Sequence, residues 1–173
     1  MESLRELFRI GYGPSSSHTM GPRAATEKFL SICPNCDSYQ AELYGSLAAT
    51  GKGHLTDKAI RQVFEKHSKS VNILWFPDIF KPFHPNALTL KGFNENKEIV
   101  LEKTYYSVGG GKIVEEGAIE EGPADIYPKE KCGSMANLLK YCSDEGMQMW
   151  EVGIECEGPD IIDYIKQVWI VMQ

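Results

Sequence analysis

No stretch of this 173-residue chain approaches the ~18 consecutive apolar residues that a membrane span needs. The first residues, Met1-Glu2-Ser3-Leu4-Arg5-Glu6-Leu7-Phe8, mix charges where a secretory leader would carry a basic and then a long apolar stretch. Basic charge is scarce too: 18 Lys and Arg stand against 24 Asp and Glu, a formal net charge of −6. That balance argues against nucleic acid or an anionic membrane surface as the main partner. Part of the acidity gathers in 115–125, which reads as a solvated face or loop. Nucleotide fingerprints are missing: Gly51-Lys52-Gly53-His54 lacks the P-loop spacing and its Lys-Ser/Thr pair. Gly109-Gly110-Gly111 follows a strand pattern with no helix pattern after it, so it reads as a bulge or sharp turn. The expectation is a cytoplasmic protein.

Cysteine is sparse and odd in number, five in all, which reads as reduced thiols. Cys33-Pro34-Asn35-Cys36 is a CxxC, but it sits where a helix ends rather than where a strand enters one, and no second pair has zinc-site spacing. A thiol-redox or zinc role is therefore only an outlying alternative. The cysteines do not show the set an iron–sulfur cluster needs, and no metal site is expected within this chain.

What is present is a soluble-type core composition, 42% hydrophobic against 24% charged, in a length that allows one domain or two small ones. Periodicity predicts helices over 2–10, from Ala24 to Cys33, over 55–67 and over 134–143. It predicts strands over 39–44, 71–76, 88–93 and 99–108, with a possible resumption at 112–115. Residues 45–53 read as a small-residue connector, and Thr56 as the cap of the helix that follows. Asn94-Glu95-Asn96-Lys97 reads as a hairpin turn. The fold class is α+β, with helices packed on a mostly antiparallel sheet. A final stripe of Ile161, Ile162, Ile165, Val168, Trp169 and Met172 follows Asp160, a candidate cap, and runs on with no closing signal. The expected division is one domain over 1–158 and, over 159–173, the start of a helix or linker leading into a further domain. The alternative is a terminal helix docking on its own domain.

The densest chemistry lies in Gly11-Tyr12-Gly13-Pro14-Ser15-Ser16-Ser17-His18-Thr19-Met20-Gly21-Pro22-Arg23. A run of hydroxyls and an imidazole ahead of a helix suits a small anion, because unpaired N–H groups and the dipole attract one there. An overbuilt N-cap is the plainer account. Of the four histidines, His67 ends a helix, whereas His18, His54 and His84 each sit in a Gly- or Pro-flanked turn. Solvated loop histidines are common. Three in such settings suggest proton transfer near neutral pH, with Lys52 and Arg23 as a possible carboxylate clamp.

These motifs resemble those of the iron–sulfur-dependent L-serine dehydratases, specifically their β domain or β chain. The likeness rests on Gly13-Pro14-Ser15-Ser16-Ser17-His18-Thr19 with Gly21-Pro22, and on Tyr44-Gly45-Ser46-Leu47-Ala48-Ala49-Thr50-Gly51-Lys52-Gly53-His54 with Thr56-Asp57. His84-Pro85-Asn86 and Tyr106-Ser107-Val108-Gly109-Gly110-Gly111 follow in the right order. The resemblance implies a part in deaminating L-serine to pyruvate and ammonia. It also implies a 4Fe–4S cluster held by a cluster-binding catalytic domain or α chain, whose exposed iron acts on the leaving hydroxyl while a base takes the α-proton. The complete enzyme would be a homodimer, and this chain alone inactive. His54 is the candidate for proton transfer, with His18 and His84 beside it. Ser15, Ser16, Ser17, Thr19, Lys52, Gly53 and Asn86 are the candidate substrate or effector contacts. The domain is also similar to the regulatory substrate-binding domain of some phosphoglycerate dehydrogenases, which leaves a stand-alone small-anion or amino-acid-binding module open.

Overall fold

The computed structural model describes residues 2–118 and 125–173. In chain order these form α1 (Leu4–Leu7), a π-helical turn (Ser16–Met20) running directly into α2 (Gly21–Ile32), β1 (Ser38–Tyr44), α3 (Gly45–Thr50) and α4 (Thr56–Lys66). Then come β2 (Asn72–Phe76), β3 (Asn86–Phe93), β4 (Ile99–Gly109), β5 (Lys112–Glu115), α5 (Lys129–Cys132), α6 (Met135–Glu145), α7 (Met149–Glu157) and α8 (Ile161–Met172). The chain divides into two compact units, Gly11–Glu120 and a second made of Met1–Ile10 with Glu121–Gln173. Of the acidic stretch 115–125, residues 119–124 lie outside the described residues.

The larger unit is α+β. Its sheet has the order β2-β1-β3-β4-β5, and only the β1–β2 pair is parallel. A parallel neighbour needs a crossover, which α3 and α4 supply. The remaining pairs are antiparallel, and tight turns join β3 to β4 and β4 to β5. Asn94–Lys97 closes the first, with Lys97 at φ 62. Gly110 and Gly111, at φ 57 and 76, close the second, as a two-residue hairpin with both central residues left-handed requires.

Strand alternation sorts the two faces. Tyr39, Ala41 and Leu43 of β1, Leu88 and Leu90 of β3 and Tyr105 of β4 pack against Phe29 and Leu30 of α2 and Ile60, Val63 and Phe64 of α4. Each Leu, Ile, Val and Phe among them contributes roughly 1.5–3 kcal/mol when fully buried. The opposite face carries a smaller cluster of Tyr44, Ala87, Tyr106 and Val114, with Phe76 stacked on Tyr44 at 5.4 Å. On β1, Glu42 is buried, and its carboxylate accepts from Lys91 Nζ at 2.9 Å and Tyr44 Oη at 2.6 Å. Burial pushes the Glu42 carboxyl up, but these partners outweigh it and leave its pKa below the usual value.

The smaller unit is tied by one carboxylate. Glu157, at the end of α7, accepts from the Ser3 hydroxyl at 2.6 Å, the Leu4 backbone N–H and Tyr127 Oη at 2.9 Å. Burial, then the Glu157 carboxylate, raises the Tyr127 phenol well above its ordinary value. Tyr164 of α8 donates to the Phe8 carbonyl, and Arg5 pairs with Asp160 at 2.7 Å. Tyr127, Cys132, Cys142 and Val152 form its core.

Several elements differ from the sequence expectation. The first helix contracts to Leu4–Leu7. The serine run is not a loop but the opening π turn of a continuous helix. Residues 45–50 of the expected connector are helical. Thr56 does not cap α4: Leu55, left-handed at φ 59, precedes the helix, and the Thr56 hydroxyl is used elsewhere. Asp160 makes no capping bond because its carboxylate is held by Arg5. Cys33 and Cys36 are disulfide-paired rather than free thiols, because the turn between them folds the two side chains together. Residues 1–10 group with 121–173 in the smaller unit, because the first residues fasten to α7 and α8. In α8, Ile161 is buried while Trp169, Ile170, Val171 and Met172 are exposed.

The packing makes Phe64 a keystone: it is 1% exposed and its ring lies 5.0 Å from that of Tyr39. Phe64→Ala is expected to lower unfolding free energy by about 3–5 kcal/mol, measured by chemical denaturation; a loss under 1 kcal/mol would contradict this core assignment.

Candidate functional site

The π turn begins at Ser15, an extended residue whose hydroxyl accepts from the His18 N–H at 3.2 Å. Its wide geometry shows in the Met20 N–H, which reaches back to the Ser15 carbonyl at 3.2 Å. Single π turns inside helices recur at functional sites. Here the turn sets His18 between two hydroxyls: Nδ1 is 2.9 Å from Ser17 Oγ and Nε2 is 3.2 Å from Ser46 Oγ. Ser46 follows β1 on α3, where its N–H donates to the Pro85 carbonyl at 3.0 Å. Gly45 beside it pairs with Asn86 as an isolated bridge. The His84-Pro85-Asn86 turn is thereby anchored to the segment that holds His18.

His54 arrives from the turn ahead of α4. Two threonines bind the segments to each other. Thr19 Oγ1 donates to the His54 carbonyl at 2.9 Å, and Thr56 Oγ1 donates to the His18 carbonyl at 2.5 Å. Both threonines are buried. The His18 and His54 rings stand 4.8 Å apart, tilted by 43°. Burial first, then the charge of His54, holds the His18 pKa below the usual histidine value, against the Ser46 hydrogen bond, which favours the charged form. Two imidazoles this close disfavour double protonation.

The other expected site residues divide. Ser15 and Ser17 are engaged within the turn, Ser16 is exposed, and Thr19 ties the structure rather than facing solvent. His84, half-buried, accepts from the Asn86 N–H on Nδ1 at 3.1 Å. Lys52 lies over the Trp75 ring, 5.7 Å from its centroid, and Gly53 is exposed. Gly51 is a packing requirement, since a Cβ there would stand 2.1 Å from the Leu47 carbonyl oxygen. Arg23 is engaged with Glu27 at 3.1 Å and with the Tyr12 ring.

Sequence reasoning missed three contributors: Ser46, Thr56 as a tie, and Ser107. Ser46 and Ser107 fall inside the motifs, but only the fold shows what they face. Ser107 of β4 is fully buried, and among the described residues neither its hydroxyl nor the buried Asn86 Oδ1 finds a hydrogen-bond partner, while Asn86 Nδ2 reaches the Ser107 carbonyl at 3.4 Å. A Cβ on Gly21 would come within 2.1 Å of Ser107 Oγ, so glycine lets the first turn of α2 settle onto the sheet. Among the described residues, no group of three or more His, Cys, Asp or Glu side chains gathers to hold a metal ion.

A mixed sheet with polar turns meeting around two apposed imidazoles defines an α+β domain equipped for acid–base or small-anion chemistry. The family model described as serine dehydratase beta chain matches residues 3–69 and 62–118, and the chain belongs to that family. L-serine dehydratase 1 of Escherichia coli is 30% identical over 100% of this chain and 48% of its own length. An L-serine dehydratase of Helicobacter pylori is 36% identical over 87% of this chain and 42% of its own. One from Haemophilus influenzae is 29% identical over 100% of this chain and 48% of its own. The chain thus spans about half the length of these relatives.

Two outcomes are expected from this geometry. In an NMR titration His18 should protonate below 6.5, the ordinary histidine value. His54→Ala should move it upward while burial keeps it below that value; no movement would contradict the ring pairing. Because the folded-state pKa is depressed, the stability His18 contributes is fully present above 6.5 and is lost as pH falls from there through the folded-state value. Second, Gly21→Ala should destabilise the fold by about 1–3 kcal/mol through overpacking, and adding Ser107→Gly should recover part of the loss in denaturant melts. Equal losses in the single and double variants would show that this contact does not control the approach of α2.

Proposed function

We propose that this chain supplies the histidine-bearing part of an L-serine dehydratase active site, acting on L-serine to yield pyruvate and ammonia. The observation that carries this reading is the His18–His54 pair, 4.8 Å apart and cross-tied by Thr19 and Thr56. Family membership and the names of the relatives support the same reaction. Among the described residues none form a ligand set for a 4Fe–4S cluster. On this reading the cluster belongs to a cluster-binding catalytic domain or α chain, and no step through it is assigned to the residues of this chain.

The chemistry left to this chain is binding and proton transfer. A base for the α-proton must start neutral. Burial of His18 and the repulsion between two charged rings favour a pair in which no more than one ring is an imidazolium. His18, fixed by Ser17 and Ser46, orients the pair; His54 is anchored through its backbone carbonyl, and its ring, hydrogen-bonded to none of the described residues, is the one left to move a proton. The N–H groups at the start of the π turn face a substrate carboxylate with the positive end of a helix dipole. Asn86 Oδ1, an acceptor without a partner among the described residues, suits the substrate ammonium. His84 is locked by the Asn86 N–H.

The test uses the complete enzyme, this chain together with its cluster-bearing portion. His54→Ala should lower kcat by roughly 10²–10⁴-fold, with the cluster's absorption spectrum unchanged. Turnover within a few-fold of wild type would remove His54 from proton transfer. If His18, His54 and His84 variants alter only the cooperativity of serine saturation, the turns form an effector site instead.

A further inference from the structure

A second chemical site lies at the other end of α2. That helix ends at Ile32, and its 12 residues put roughly 18 Å between its two ends. Immediately after it the chain turns through Cys33-Pro34-Asn35-Cys36 into β1. The Cα atoms of Cys33 and Cys36 are 6.3 Å apart, a span that a disulfide bridges. The turn is held from outside the pair. Tyr39 Oη accepts from the Cys36 N–H at 3.1 Å and donates to the Cys33 carbonyl at 3.0 Å, closing a ring of hydrogen bonds across the CxxC. Burial raises the Tyr39 phenol above its ordinary pKa, which keeps that donor proton in place. On the far side, β3 presents Gly92, where any side chain would collide: a Cβ there would lie 2.5 Å from Cys36 Sγ and 3.0 Å from Cys33 Sγ. A solvent-open cleft of about 280 Å³, bordered by both cysteines with Pro34, Asn35, Asp37 and Asn94, meets the pair from outside.

We propose that Cys33 and Cys36 form a reversible dithiol–disulfide site that exchanges with small-molecule thiols through this cleft. The Tyr39 clamp keeps the sulfurs adjacent in both states, so ring closure is intramolecular and outpaces capture by a second external thiol. In oxidation, one protein thiolate attacks a small disulfide RSSR, forming a mixed disulfide and releasing RS⁻. The second protein thiolate then displaces the other RS⁻. Two electrons pass from the protein pair to RSSR, and the two thiolates released take up the two protons given up by the cysteines. Reduction by two equivalents of RSH is the reverse. Cys132, Cys142 and Cys156 lie in the other compact unit and take no part. The inference does not rest on the dehydratase reading.

The test counts thiols in the full chain. After equilibration with glutathione disulfide, rapid denaturation and iodoacetamide labelling, mass spectrometry should find three labelled cysteines and an internal Cys33–Cys36 link. After equilibration with reduced glutathione it should find five, and cycling should restore either state. Tyr39→Phe, which retains the ring but breaks the clamp, should increase the fraction trapped as a glutathione adduct. Five labelled cysteines under both conditions, stable glutathione adducts on Cys33 and Cys36 in the wild type, or links to Cys132, Cys142 or Cys156 would each overturn the proposal.

Discussion

The site hangs on two hydrogen bonds that cross between segments far apart in sequence. The Thr19 hydroxyl is spent on the His54 carbonyl, and the Thr56 hydroxyl on the His18 carbonyl. Each satisfies a backbone carbonyl of the other segment, one in the turn ahead of α4 and one in the π turn. Each also places a histidine, since the residue whose carbonyl is held is the one that carries the imidazole. With both threonines buried, the ties work in a low-dielectric setting, where a broken one would leave an unsatisfied polar group at a cost of about 1–3 kcal/mol. The ring separation follows from backbone geometry fixed in this way.

The sheet is the base on which that arrangement stands. α2 and α4 cover one face and bury a continuous apolar core. Gly21 allows the first turn of α2 to come down onto Ser107, and α3 starts directly from the end of β1, carrying Ser46 to His18. Three polar turns from separate motifs therefore meet at one end of the sheet. Ser107 Oγ and Asn86 Oδ1, without partners among the described residues, lie within this meeting place, polar atoms of the kind that buried water or a ligand usually satisfies.

Much of the frame was legible in the sequence. Period-two patterns located the strands within a few residues, as with 39–44 against Ser38–Tyr44 and 99–108 against Ile99–Gly109. Helical stripes marked α4, α6 and α8. The elements that were missed are short or irregular. α3 is six residues, small except for Leu47, too short for an apolar stripe to be read. The π turn has a periodicity no amphipathic pattern records. α1 contracted because Glu157, more than 150 residues away, caps its start and Tyr164 takes the Phe8 carbonyl at its end.

By itself the sequence determined the α+β class, the serine- and histidine-bearing turns and the family to which they belong, because these rest on residue identity and local spacing. It also made Lys52 and Arg23 look like members of the site. Tertiary structure alone decided that Arg23 is occupied by Glu27, that Lys52 lies on Trp75, and that Ser46 and not a nearer serine meets His18 Nε2. It alone turned Thr56 from the cap of its own helix into a tie to another, and brought Cys33 and Cys36 together under Gly92. The physical reason is the same in each case. A side chain's role is set by the partner that satisfies its charge or hydrogen bond, and these partners come from other segments that only the folded sheet brings within reach.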